Sequence, residues 1–131
     1  MKASNRVKRY LEFGRKVAET SNFHDYRHGA VLVCGKSIIS SSPNKNSHAR
    51  FGRRFRKRNH GHATHHAEIG CILGLDRSVT KGSTVYVVRL SKTGEFKMSK
   101  PCEMCHEALK YVGVRKVVYT VDDQSIGSYK L

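Results

Sequence analysis

The chain has 131 residues, with 25 Lys and Arg against 10 Asp and Glu, a formal net charge of +15. That length can bury one hydrophobic core but not two, and no apolar run is long enough to cross a bilayer as a helix. The expectation is a single domain over residues 1–131 that carries a basic loop at about 44–65. Met1 to Arg9 is basic, yet no apolar segment follows it, so a secretory leader is not expected. Free thiols suit a reducing compartment, and the expected location is intracellular, cytoplasmic or nuclear.

Taken in chain order, Val7, Tyr10, Leu11, Gly14, Val17 and Ala18 fall on one helical face, with Lys8, Arg9, Glu12, Arg15 and Lys16 elsewhere. Ala30 to Cys34 and Ser37 to Ser40 are short β-rich runs joined by Gly35-Lys36, a tight-turn pair that predicts an antiparallel hairpin. His66 to Leu73 reads as a second helix, Thr84 to Leu90 as a buried strand, Cys102 to Tyr111 as a third helix and Arg115 to Thr120 as a strand. Alternation of strand and helix predicts parallel crossovers. After Val121 too little chain remains for another crossover helix, so a strand at Tyr129 to Leu131 returns antiparallel. Cys34, Cys71 and Tyr111 read as core residues.

Two motifs carry chemistry: His66-Ala67-Glu68 and Pro101-Cys102-Glu103-Met104-Cys105. A catalytic zinc site takes three protein ligands and keeps its fourth position for water; one imidazole and two thiolates, from His66, Cys102 and Cys105, meet that need. Glu68, not required as a ligand, is placed to take a proton from the water and hand it on. Alone, His-x-Glu is weak, because the pattern is common on helix surfaces. Cys-x-x-Cys alone is equally a redox pair or half of a structural zinc finger, but Cys34 and Cys71 do not form a second such pair. Both motifs head helices, where unpaired amides and the helix dipole stabilise thiolates. His60, His62 and His65 lack the two-residue offset to Glu68 and are read as loop residues; His24 and His28, placed before the first strand, receive no role.

The two motifs in this order are the signature of zinc deaminases, and the chain resembles the zinc-dependent cytidine and deoxycytidylate deaminase superfamily from Val7 to Thr120. The resemblance implies a three-layer α/β/α fold on a mixed sheet of about five strands, with Zn2+ as the cofactor. By carry-over, His66, Cys102 and Cys105 bind zinc, Glu68 shuttles protons, and the Ala67 amide and Asn44 contact the substrate, with Asn46 close to the same position. Many relatives associate, which implies a homo-oligomer. The antiparallel return at the C-terminus is more like free-nucleoside cytidine deaminases and toxin-type deaminases than the tRNA adenosine or deoxycytidylate branches, whose last strand is parallel.

Substrate size must be read from charge. Arg50, Arg53, Arg54, Arg56, Lys57 and Arg58 occur without an intervening acid, interleaved with Phe51 and Phe55. Arginines pair with phosphates and aromatic rings stack on unpaired bases, the physics of single-strand binding. The bland reading is a solubilising loop, a localisation tag or a dock for an acidic partner. The leading expectation is cytosine deamination on single-stranded DNA or RNA. The alternatives are a free cytidine, deoxycytidine or monophosphate deaminase, an adenine deaminase, and a noncatalytic zinc domain that binds nucleic acid.

Overall fold

The computed structural model describes residues 3–22, 26–48 and 64–131. The basic run from Arg50 to Arg58 therefore lies outside the described residues, as do His24, His60 and His62.

Helix α1 (Asn5–Ala18) begins where the Ser4 hydroxyl accepts from the Val7 amide, and its last turn carries Arg15 and Lys16 against the negative end of the dipole. Tyr10, Leu11, Gly14 and Ala18 form the buried stripe that the sequence spacing predicts. Strands β1 (Arg27–Cys34) and β2 (Ser37–Pro43) form an antiparallel hairpin around Gly35, whose φ of 65° is the left-handed value that a tight hairpin needs. A bulge opposite Leu32 and Val33 leaves Ile39 outside the ladder. β2 runs three residues past its expected end and stops at Pro43, which is tolerated because β2 is an edge strand.

Two short strands, β3 (Lys45–His48) and β4 (Thr64–His65), pair with each other apart from the main sheet. Helix α2 (Ala67–Ile72) and a single turn, α3 (Arg77–Thr80), precede β5 (Thr84–Leu90); α4 (Glu103–Tyr111), β6 (Lys116–Thr120) and β7 (Ile126–Lys130) complete the chain. The sheet order is β2-β1-β5-β6-β7.

Only part of the crossover expectation is met. β5 and β6 are parallel neighbours around α4, but β1 inserts antiparallel between β2 and β5, so the α2 connection spans a strand instead of joining neighbours. β7 returns antiparallel as expected, but it starts at Ile126. The turn is shorter than foreseen because the Asp122 carboxylate accepts from the Gln124 amide and the Ser125 hydroxyl, closing the chain locally.

Alternate residues of the central strands build two apolar layers. Val31, Val33, Tyr86, Val88 and Leu90 pack under α1, whereas Ala30, Leu32, Val85, Val87 and Val117 pack under α2 and α4. The result is the expected three-layer α/β/α fold on a mixed sheet. Cys71 is buried, but Cys34 is exposed at the hairpin turn, and Tyr111 is half exposed at the end of α4. Both were expected in the core; each sits at the terminus of its element, where the buried face runs out.

α1 approaches β1 closely at one point. A Cβ on Gly29 would lie 2.4 Å from the Gly14 carbonyl oxygen and 2.9 Å from the Ala18 nitrogen, both backbone atoms that cannot swing away. Gly29→Ala is expected to destabilise the fold by about 1–3 kcal/mol, the usual range for overpacking. Urea unfolding measures this directly, and an unchanged midpoint would mean that α1 does not seat as described.

Candidate metal centre and its pocket

Both sequence motifs converge at the C-terminal ends of the parallel strands, at the N-termini of α2 and α4. His66 is the N-cap of α2 and Cys102 the N-cap of α4, each with extended backbone. Neither side chain makes a capping bond, which leaves both free to point at a common centre. Cys105 follows on the first turn of α4 and is fully buried.

His66 Nδ1 lies 3.2 Å from Cys105 Sγ and 3.7 Å from Cys102 Sγ, and the three donor atoms all lie within 4.8 Å of one another. Tetrahedral zinc bonds of about 2.0–2.3 Å put donors roughly 3.4–3.8 Å apart, so the group fits that ion with small adjustments. The electrostatics agree. A hydrogen bond from the Cys105 thiol, reinforced by His66, brings the Cys102 thiol down to about 4. Cys105 moves the other way, because it gives that hydrogen bond and is buried. His66 is raised chiefly by its bond to Cys102, with the Glu68 carboxylate adding to it and burial opposing. A pair of thiols that already favours one thiolate is a site ready for a cation.

Glu68, in the first turn of α2, is 3% exposed, and its Oε1 has no hydrogen-bond partner among the described residues. Burial raises its pKa, against the opposing pull of His66. A buried carboxylate with an orphaned oxygen weakens a fold unless something is meant to meet it there. Ala67, also buried, supplies one of the first amides of α2, which have no partner inside the helix.

The centre opens into a cavity of about 300 Å3 lined by Tyr26, His28, Asn44, His66, Glu68, Lys100 and Cys102. Asn44 lines it, but its amide is also engaged in scaffolding. Its Oδ1 accepts from the His28 amide at 2.9 Å and the Ser21 hydroxyl at 2.6 Å, while Nδ2 donates to the Tyr26 carbonyl at 2.6 Å. The asparagine thereby fixes the start of β1 against the end of β2. Another cavity, of about 400 Å3 beside α1, is lined by Lys8, Glu12, Arg15 and Phe96 among others, and no His or Cys among the described residues lines it.

The segment before Cys102 is fastened to the sheet. The Ser99 hydroxyl donates to the Val87 carbonyl at 2.8 Å and accepts from the Thr120 amide at 2.8 Å; the Ser99 amide donates to the Thr120 carbonyl at 2.9 Å. Two parallel strands thus hold the residue three places ahead of a metal donor.

Sequence reading left four lining or flanking residues unassigned. His28 was placed before the first strand, yet it lies inside β1, two residues from Ala30 and therefore on the same face. Burial, then the Arg89 guanidinium, lowers its pKa to about 4. Tyr26 is 56% exposed at the pocket mouth, with Arg89 stacked 4.7 Å from its ring centroid. Lys100 lies 5.6 Å from the Tyr129 ring centroid. The Tyr129 hydroxyl is buried without a partner among the described residues, and burial, with Glu68 and Cys105 nearby, pushes it up to about 12. The two-residue strand period was the available signal for His28; nothing local marks Tyr129.

Residues 4–121 match the family model described as the cytidine and deoxycytidylate deaminase zinc-binding region. No curated protein matches the sequence. Among solved structures, the dCMP deaminase of the cyanophage S-TIM5 in apo form superposes with a TM-score of 0.62 at 18% identity, covering 91% of this chain and 85% of that one. RibD from Acinetobacter baumannii superposes with a TM-score of 0.56 at 20% identity, covering 88% of this chain but 28% of that protein. At these identities the structural likeness is one of fold.

Proposed function

Because the chain belongs to the cytidine and deoxycytidylate deaminase zinc-binding family, we propose that it is a hydrolytic deaminase converting cytosine to uracil, with single-stranded nucleic acid as its favoured substrate. The observation that carries the reading is the convergence of His66, Cys102 and Cys105 within 4.8 Å, with buried Glu68 in the same cavity. His66, Cys102 and Cys105 would hold the zinc, which would supply Lewis acidity to make a water nucleophilic near neutral pH.

The chain's own residues do the rest. Glu68, through Oε1, takes one proton from the attacking water and delivers it to ring nitrogen three, then takes the second from the oxygen now on ring carbon four and delivers it to the amino group, which leaves as ammonia. Water and cytosine become uracil and ammonia, and the carboxylate ends as it began. The Ala67 amide contacts the base, and Asn44 holds the nucleoside side of the pocket. The enclosed position of Glu68 excludes bulk water from the proton path.

Preference for a polynucleotide rests on charge and connectivity. β3 begins immediately after pocket-lining Asn44, and β4 ends immediately before His66. The arginine-rich segment is thus joined to the pocket at both ends. A base must be unpaired or flipped to reach a cavity of this size, which favours single strands. A free nucleotide is the second reading, favoured by Lys100 on the pocket wall, where one phosphate can meet it, and by the fold shared with a viral dCMP deaminase.

Incubation of the zinc-loaded protein with cytidine, deoxycytidine, their monophosphates, adenosine, and matched single-stranded and duplex DNA and RNA, read by mass spectrometry, tests the proposal. Uracil in single strands is the expected product; turnover of monomers alone would favour the second reading, and inosine would overturn the choice of base. Replacing Arg53, Arg54 and Arg56 together with Ala should weaken single-strand binding and make its logarithmic salt dependence shallower by about 2, at roughly 0.7 per lost phosphate contact. An unchanged slope would return the loop to a solubilising role.

A further inference from the structure

His28 is a partly buried polar residue of the cavity wall that the proton transfer does not use. It shares its strand face with Ala30 and Leu32, which pack under α2 and α4, so its ring looks toward the metal side of the sheet. It lines the cavity with Glu68, His66 and Cys102. Its Nε2 is buried and has no hydrogen-bond partner among the described residues. The backbone around it is fixed: the His28 amide donates to Asn44 Oδ1, and its carbonyl accepts from the Asn44 amide at 3.1 Å. Orphaned buried polar atoms disfavour a fold, and in a binding pocket they mark where a ligand atom belongs.

We infer that His28 is a specificity-determining residue whose Nε2–H donates a hydrogen bond to the carbonyl at ring carbon two of cytosine. This deepens the deaminase reading and rests on it. When ring nitrogen three faces Glu68 and carbon four faces the metal centre, the next polar atom around a cytosine is that carbonyl oxygen. Adenine carries a carbon-bound hydrogen at the corresponding edge and offers no acceptor there. A neutral imidazole has one N–H to give, and the Asn44 bonds fix the backbone from which the ring extends. The carbonyl has two lone pairs, so the Ala67 amide and His28 can share it. Asn44 thereby acts on the base through His28, as a positioning residue.

The test compares wild type, His28→Phe and His28→Gln, all zinc-loaded, on dCMP and on a single-stranded oligonucleotide with one cytosine. Binding of the same two compounds is measured by calorimetry in a Glu68→Ala background. His28→Phe should lose about tenfold or more in kcat/KM and weaken binding in parallel, while His28→Gln, which keeps a donor, retains most of both. Equal zinc content and unfolding midpoints show that the variants fold alike. Wild-type turnover matched by His28→Phe overturns the inference and leaves the deaminase reading standing. Deamination of adenosine in place of cytosine overturns it too. A protein that neither binds nor converts either cytosine compound loses both readings.

Discussion

Glu68→Gln is expected to abolish the uracil formation proposed above, lowering kcat by about 10²–10⁴ while the protein stays folded and keeps its zinc. The size of the loss follows from the role: a positioned general acid and base contributes that range, and among the described residues no other carboxylate lines the cavity. The preserved fold follows from burial. Gln fills the same volume, and a carboxylate with an orphaned Oε1 contributes little to stability that the amide would lose. Glu68 does not belong to the donor group, so metal content should stay at one zinc per chain. Product analysis by mass spectrometry, with metal content by plasma emission, reads both halves of the expectation. Turnover near the wild-type rate would remove Glu68 from the mechanism. Loss of zinc together with activity would make it a ligand.

Cys105→Ala is expected to give the opposite pattern: zinc is lost first, and stability goes with it. Cys105 is buried with its sulfur 3.2 Å from His66 Nδ1, and the metal would join the N-termini of α2 and α4 at that point. Anything that binds the native state alone stabilises it, by about 2.7 kcal/mol when free zinc is one hundred times its dissociation constant. Chelation should lower the wild-type unfolding midpoint and leave that of Cys105→Ala unmoved. Urea titrations with and without chelator make the comparison. A variant that retains one zinc per chain would show that the donor group has been misassigned.

What could be read from the sequence was what chemistry or periodicity dictates locally. A zinc site with a proton carrier needs certain side chains at certain offsets, so His66, Glu68, Cys102 and Cys105 stand out before any fold is known. The stripe of α1 was legible for the same reason: Tyr10, Leu11, Gly14 and Ala18 repeat at helical spacing. The insertion of β1 between β2 and β5 was not legible, because strand order is settled by which faces find cover, and alternation of elements does not encode it. The early start of β7 depended on two bonds that the Asp122 carboxylate accepts, from the Gln124 amide and the Ser125 hydroxyl. His28 was missed through a boundary: strand β1 begins at Arg27, three residues ahead of the apolar run, since Arg27 and His28 pair with Leu90 and Arg89 of β5 while Asn44 bonds the His28 amide from the other side. Asn44 stood out in the sequence as a substrate contact; its scaffold bonds became visible only with β1 and β2 side by side.

The Ser99 clasp bears on how the protein breathes. Its bonds reach Val87 within β5 and Thr120 at the end of β6, both fully buried. A segment tied in this way cannot open by itself, because releasing Ser99 exposes the seam between two parallel strands. The amides of Thr120 and Ser99 should therefore exchange with solvent hydrogen as slowly as the sheet interior, with protection set by global unfolding. The wall of the pocket that carries Cys102 then has no low-energy excursion of its own, and the geometry of the thiolates is as durable as the fold.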